Sequence, residues 1–327
     1  MTEDFGKKAP RAKERIAVIR GGALGDGVVT LPAIHNLTMG SDRAHLGVIG
    51  SPHLQRLASP DLFIDQTSSE CTWLFDDTEN VVTDSPSGQL LATANLILAY
   101  STHGDDSTLV RKLETLCPGT VLPWDPRPVT EDCHIVDHLL KPLEQAKQPT
   151  PNRVPSIQET EAELARGHAL LSTREDERLV VILHPGSGGS EKRWPLQSFH
   201  ELAKRLTENG LRCAMVCGPV EIDSSPVMRS PPDVPLIRQE CLSDLIGLTA
   251  AADLFIGNDS GPAHVAAAVG TPTVALFGPT NPLIWRPLAA HSQVVCAPDG
   301  KLDALEVVDV FVAVQSIMSE RGKRRCP

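Results

Sequence analysis

The chain has 327 residues, 41% of them hydrophobic but only 4% aromatic, and a formal net charge of −11 at pH 7. This length suits about two domains with aliphatic cores, and the acidic balance argues against a nucleic-acid binder that works by neutralising phosphates, though not against a local basic patch. No apolar run reaches roughly 18 residues and the N-terminal MTEDFGKKAPRAKER lacks a hydrophobic signal core, so a cytoplasmic protein is expected.

The predicted elements follow in chain order. Ile16-Ala-Val-Ile19 reads as a buried strand over 15–20, and Val28 to Ile34 as the body of a helix over 27–37. Strands are expected over 44–50 and 95–100, and a helix over 134–146. Gln148-Pro-Thr-Pro-Asn-Arg-Val-Pro155 has the composition of a linker. The second half is more regular. Arg178 to Leu183 is a strand. Pro195 opens a helix with Leu196, Phe199, Leu202, Ala203 and Leu206 on one face and Asn209-Gly210 as its stop. Strands over 211–217, 253–256 and 273–277 alternate with helices over 243–251 and 262–269. In the last segment Val307, Phe311, Val314 and Met318 share a helical face. Eight cysteines stand without C-x-x-C pairs, and Cys213 and Cys217 sit in the strand over 211–217, as reduced core thiols do.

This alternation predicts parallel sheets covered on both faces, in units spanning 1–155 and 156–304 with a terminal segment 305–327. Two such halves place a ligand cleft between them, lined by the loops that leave the carboxyl ends of the strands. Three of those loops carry chemistry.

The first is RGGALGDGVV, residues 20–29. Its glycines fit neither the dinucleotide fingerprint nor a Walker A loop. It carries a carboxylate, Asp26, and an exposed carboxylate on a tight loop after a strand is well placed to act as a base. The second is His184-Pro-Gly-Ser-Gly-Gly-Ser-Glu-Lys-Arg-Trp-Pro195. Its small residues, Gly188 among them, expose backbone N–H groups ahead of a helix; Ser187 and Ser190 add hydroxyls and Lys192 a mobile cation. That is a diphosphate site or an ordinary strand-to-helix loop. The third is Gly257-Asn-Asp-Ser-Gly-Pro-Ala-His264, with Ser260 and Gly261 at a helix start where N–H groups lack partners. Asp259 reads as an N-cap or as part of a ligand site, and His264 as structural or as a ligand contact. Glu221, after the intervening strand, suits a ribose diol or the solvent.

Taken in order, Ala23-Leu-Gly-Asp26…Thr30-Leu-Pro32, His184-Pro-Gly…Lys192-Arg-Trp-Pro195 and Asn258-Asp-Ser-Gly-Pro-Ala-His264…Phe277-Gly-Pro-Thr280 resemble glycosyltransferase family 9, the lipopolysaccharide heptosyltransferases. The resemblance implies an α/β GT-B fold of two Rossmann-like domains facing a cleft, with 305–318 as a helix crossing back to the first. It implies that Asp26 is the catalytic base, flanked on the acceptor-side loop by Gly25 and Gly27. The base deprotonates an acceptor hydroxyl that attacks the anomeric carbon of ADP-heptose with inversion. Across the cleft it places the donor diphosphate at Ser187, Gly188, Lys192, Asp259, Ser260, Gly261 and His264, and the ribose at Glu221. No D-x-D occurs, and the family implies no metal or other cofactor. The implied partners are an ADP-sugar and a lipopolysaccharide-core or related glycan, met at the cytoplasmic face of the inner membrane. Arg56 and Arg111-Lys112 are the first-half candidates for acceptor phosphates. The tail Arg321-Gly-Lys-Arg-Arg325 suits a solvated end or an anionic membrane surface. A nucleotide-sugar epimerase and a nucleotide-sugar-binding protein without transfer activity are the alternative readings.

Overall fold

The computed structural model describes residues 14–39, 44–101, 107–130, 132–172, 178–218 and 230–325. The first half holds five strands: β1 (Arg15–Arg20), β2 (His45–Gly50), β3 (Leu62–Asp65), β4 (Leu96–Tyr100) and β5 (Thr120–Trp124). Its helices are α1 (Leu24–Thr38), α2 (His53–Ala58), α3 (Thr72–Phe75), α4 (Pro86–Ala92), α5 (Thr108–Leu116) and α6 (Ile135–Gln145). The second half begins with α7 (Glu161–Leu171), then β6 (Val180–His184), α8 (Leu196–Glu208), β7 (Arg212–Cys217) and β8 (Leu236–Arg238). It continues with α9 (Leu242–Ala251), β9 (Leu254–Asn258), α10 (Gly261–Val269), β10 (Thr273–Phe277), α11 (Pro282–Trp285), β11 (Ser292–Cys296) and α12 (Val307–Arg325).

All pairings are parallel, in the orders β3-β2-β1-β4-β5 and β11-β10-β9-β6-β7-β8. Each order reverses once, between β1 and β4 and between β6 and β9, and the crevice at such a switch point is where open α/β sheets bind ligands. Register aligns Arg20 with Tyr100 in the first sheet and His184 with Gly257 in the second, so the ends of these strands open on the crevices together.

Aliphatic side chains fill both layers. Helices α1 and α6 cover one face of the first sheet, and residues of α3, α4 and α5 the other. An apolar seam joins the halves: Val28 and Leu31 of α1 and Leu57 of α2 pack with Leu245 and Ile246 of α9 and Val265 of α10. Arg56 on α2 reinforces the seam, donating to both carboxylate oxygens of Glu163 on α7 (2.6 and 2.5 Å) and to Gln158 O at 2.8 Å.

The structure corrects one expectation of shape. The helix expected from 27 starts at Leu24, so Asp26 lies in its first turn rather than on a free loop. The segment expected to cross back to the first half starts on the second. Val310, Ala313, Val314 and Ile317 of α12 are buried with α8 and the second sheet. Their apolar face was legible; which sheet it covers depended on the groove between α8 and β11. Another segment returns to the first half: Ile284 on α11 is buried in that half's core, and Trp285 and Leu288 pack against it. The seven described cysteines are free, and Cys213 and Cys217 are buried in β7. Among the described residues no helix is long and apolar enough to cross a membrane.

Candidate active site

On the first-half wall, Gly22 turns the chain from β1 into α1 at φ +107, a conformation open chiefly to glycine. A Cβ there would also lie 2.7 Å from Asp26 Oδ2. The turn brings the Asp26 carboxylate back over the helix start, where Oδ2 accepts the Ala23 N–H at 2.8 Å. Oδ1 accepts from Arg20 Nη2 at 3.2 Å. Arg20, at the end of β1 and 5% exposed, also donates Nε to Thr30 Oγ1 at 3.1 Å, while the Thr30 hydroxyl donates to Asp26 O at 2.7 Å. The guanidinium lies 5.6 Å from the centre of the Tyr100 ring. Burial lowers the Arg20 pKa, while Asp26 and Tyr100 oppose that shift.

Asp26 is therefore fixed on two sides and 33% exposed on the third. Two of the roughly four lone-pair positions of a carboxylate are occupied, leaving two for a ligand. Asp26, Arg20, Gln66, Phe75, Tyr100 and Trp285 are among the residues that line a cleft of about 380 Å³, near the small end of the roughly 300–1,000 Å³ that ligand pockets span.

The second-half wall is built around Asn258, which is fully buried at the end of β9. Its Oδ1 accepts the Trp194 N–H at 3.0 Å and its Nδ2 donates to Pro185 O at 2.8 Å, pinning both ends of the 184–195 loop. Arg193 clamps the same loop by donating to Ser187 O at 3.0 and 2.8 Å. Lys192 Nζ lies 3.1 Å from Asp259 Oδ2; the two side chains are 35% and 8% exposed. Ser187 is buried and its hydroxyl donates to Asp259 O at 3.2 Å. Ser260, not Asp259, is the N-cap of α10, but its hydroxyl turns away to donate to Asn258 O at 3.1 Å. The first turn of α10 is therefore without a side-chain cap. Gly188 stands in open space on its loop.

The two walls meet at glycines. A Cβ on Gly261 would sit 3.0 Å from Leu24 Cβ and 3.1 Å from Gly25 N, and one on Gly25 would sit 3.7 Å from His264 Cδ2. The first turns of α1 and α10 touch, which sets Asp26, next to Gly25 in the chain, beside the start of α10. His264 is buried at this junction. Burial pushes its pKa down to about 4 against the pull of Asp259, so the imidazole is neutral near pH 7.

The structure thus gathers Asp26, Lys192, Asp259, Ser260, Gly261 and His264 around one junction, but the parts differ from their expected forms. Lys192 is ion-paired rather than free, and the Ser187 hydroxyl is spent inside the loop. Gly25 faces Gly261 and His264. Gly27 is buried, and a Cβ there would lie 2.6 Å from the His53 ring. Glu221 lies outside the described residues, as do the side chains of the 321–325 tail. None of the basic first-half candidates lines the cleft. Arg56 binds Glu163, Arg111 contacts Glu79, and buried Lys112 binds Asp76 Oδ1 at 2.7 Å. Arg20 and Trp285 were given no role from the sequence, and Asn258 only a place in a motif. A charged residue ending an otherwise apolar strand was the available signal for Arg20; Trp285 had none.

Two facing Rossmann-like halves with the site at their switch points are the architecture of the GT-B glycosyltransferases. The chain belongs to glycosyltransferase family 9 (heptosyltransferase), whose family model matches residues 123–313. The match covers the second-half loops but not the Asp26 turn. A curated relative, lipopolysaccharide heptosyltransferase 3 of Escherichia coli, is 34% identical over 113 residues, covering 33% of each chain. The chain thus spans about a third of that relative's length. Among solved structures, a family 9 glycosyltransferase from Veillonella parvula superposes with TM-score 0.75 at 21% identity, over 94% of this chain and 98% of that one. The E. coli heptosyltransferase WaaC with ADP gives TM-score 0.68 at 15% identity, over 93% and 100%. At these identities the structural likeness establishes the fold.

Proposed function

We propose that this chain is an inverting, metal-independent glycosyltransferase that moves a heptose from an ADP-sugar to a hydroxyl of a lipopolysaccharide-core or related glycan. The observation that carries the reading is the meeting of α1 and α10: a fixed carboxylate on one wall, and a lysine with an uncapped helix start on the other. Family membership and the relative's name support the heptose, and the ADP complex of WaaC supports the nucleotide.

The roles follow from the chemistry. A sugar hydroxyl is a weak nucleophile, and Asp26 takes its proton as the oxygen attacks the anomeric carbon. The new bond from that carbon to the acceptor oxygen forms on one face as its bond to the diphosphate breaks on the other, which inverts the centre. ADP leaves with the electron pair. The charge it gains falls to Lys192 and to the backbone N–H groups at Ser260-Gly261, whose positions are set before reaction. Neutral His264 can donate one hydrogen bond there without competing for the Asp26 proton. We place the reaction at the cytoplasmic face of the inner membrane, where the acceptor would be presented.

The test is calorimetric titration of the protein with ADP, UDP and GDP in buffer containing a metal chelator. ADP-heptose turnover onto a deacylated inner-core oligosaccharide follows, with the product anomer read by NMR. Binding of ADP alone and an inverted product are expected. Preference for UDP or GDP, loss of activity on chelation, or a retained anomer would each overturn the corresponding part.

A further inference from the structure

We propose that Trp285 is the ring platform of the acceptor subsite, so the half that holds the donor also supplies the surface on which the acceptor sugar stacks. The inference rests on the glycosyltransferase reading and deepens its acceptor side.

Trp285 lies in the second half of the chain, between β10 and β11, yet it lines the same cleft as Asp26. Its approach is fixed. Asn281 Oδ1 caps α11 by accepting the Leu283 N–H at 2.9 Å. Ile284 is buried in the first-half core. His134 Nδ1 accepts the Val136 N–H, which leaves Nε2 as the protonated nitrogen, 2.9 Å from Arg286 O. A tryptophan held on both flanks is a preorganised surface, and preorganisation reduces the ordering cost of binding.

Two observations point to a ligand rather than to packing alone. The chain has four tryptophans, one tyrosine and seven phenylalanines, and this cleft takes one of each. Tyr100 is already covered by Arg20, which leaves Phe75 and Trp285 with exposed ring surface. The second observation is the indole N–H. It donates to Ser87 Oγ in Trp73, to His138 Nε2 in Trp124 and to Leu305 O in Trp194. Among the described residues the Trp285 N–H has no such partner. An apolar ring face with an unused donor, beside a carboxylate, suits a sugar ring: its C–H face lies on the indole and a hydroxyl accepts the N–H. A lipid chain would leave that donor unmet.

The experiment compares Trp285→Ala, Trp285→Leu and Trp285→Phe for binding of deacylated inner-core oligosaccharide by calorimetry in the presence of ADP, with ADP affinity and melting temperature alongside. The alanine and leucine variants should weaken oligosaccharide binding at least about tenfold, as loss of a central tryptophan anchor does. Phenylalanine should restore most of it, and ADP affinity should hold in all three. The Leu–Phe pair keeps apolar volume, so it decides the case if alanine unfolds. Equal oligosaccharide affinity in Leu and Phe variants, or ADP affinity lost with it, would overturn the inference and leave Asp26 chemistry standing. Failure of the wild type to bind the oligosaccharide would overturn the glycan-acceptor reading and this inference with it.

Discussion

Replacing Asp26 with asparagine separates its two jobs. The carboxylate accepts the Ala23 N–H at the start of α1 and meets buried Arg20, and these contacts are structural whether or not the residue is a base. Asparagine keeps an oxygen for the Ala23 N–H and loses the charge opposite Arg20. Because the Asp26 side chain is 33% exposed, water shares that charge, and the stability loss should be about 1–2 kcal/mol. Alanine would lose the cap as well, about 1 kcal/mol more. Loss of a positioned base costs about 10²–10⁴-fold in rate, or roughly 3–5 kcal/mol of transition-state stabilisation. The asparagine variant should therefore melt a few degrees lower, bind ADP with unchanged affinity and transfer at a hundredth of the wild-type rate or less. The assay pairs thermal unfolding and ADP calorimetry with single-turnover transfer. Transfer within threefold of wild type would show that Asp26 is only a helix-start residue. A parallel loss of ADP affinity would show that the split of roles between the halves is wrong.

Three further outcomes are expected. Burial alone would raise the Glu163 pKa, but hydrogen bonds from Arg56 and Thr160 outweigh it and hold the group at about 2. A depressed carboxylate stabilises the fold above its unfolded value of about 4.5 and loses that contribution as pH falls toward 2. Wild type should thus lose about 1–2 kcal/mol more than Glu163→Gln between pH 5 and pH 2.5, after allowance for partly exposed Arg56; parallel curves would refute the seam's ionic character. Gly261→Ala would push a methyl to 3.0 Å from Leu24 Cβ. It should cost about 1–3 kcal/mol by overpacking and weaken ADP binding, as unfolding and calorimetry would show. Asn258→Leu strands the buried Trp194 N–H and Pro185 O, so a loss of about 2–5 kcal/mol should appear in denaturant unfolding, with the 184–195 loop becoming protease-sensitive.

Much of the second half was legible because its strands are continuous apolar runs and its helices carry one apolar stripe, the two periods that local sequence expresses most clearly. β6, α8, β7, α9, β9, α10 and β10 all lie within a residue or two of their expected bounds. The first half was read less fully. β3 is four residues long, and α2, α3 and α4 are four to seven, too short for a period to show. α7, β8, α11 and β11 were missed in the second half for similar reasons of length or mixed pattern. In the site, residue type marked Asp26, Lys192, Ser260 and His264, because glycine-rich strand exits announce themselves.

By itself, the sequence determined that strands and helices alternate as in parallel α/β units and which glycine-rich loops leave the strand ends, since element type and burial follow from local hydrophobic pattern. Only the tertiary structure decided the rest. Arg20 turns onto Asp26, Lys192 onto Asp259, and Gly25 onto Gly261 across the seam. The chain returns to the first half through Trp285 on α11, while the described part of α12 stays with the second sheet. These choices depend on which surfaces meet in space, between residues as much as 236 positions apart in the case of Gly25 and Gly261, and no local period encodes such a pairing.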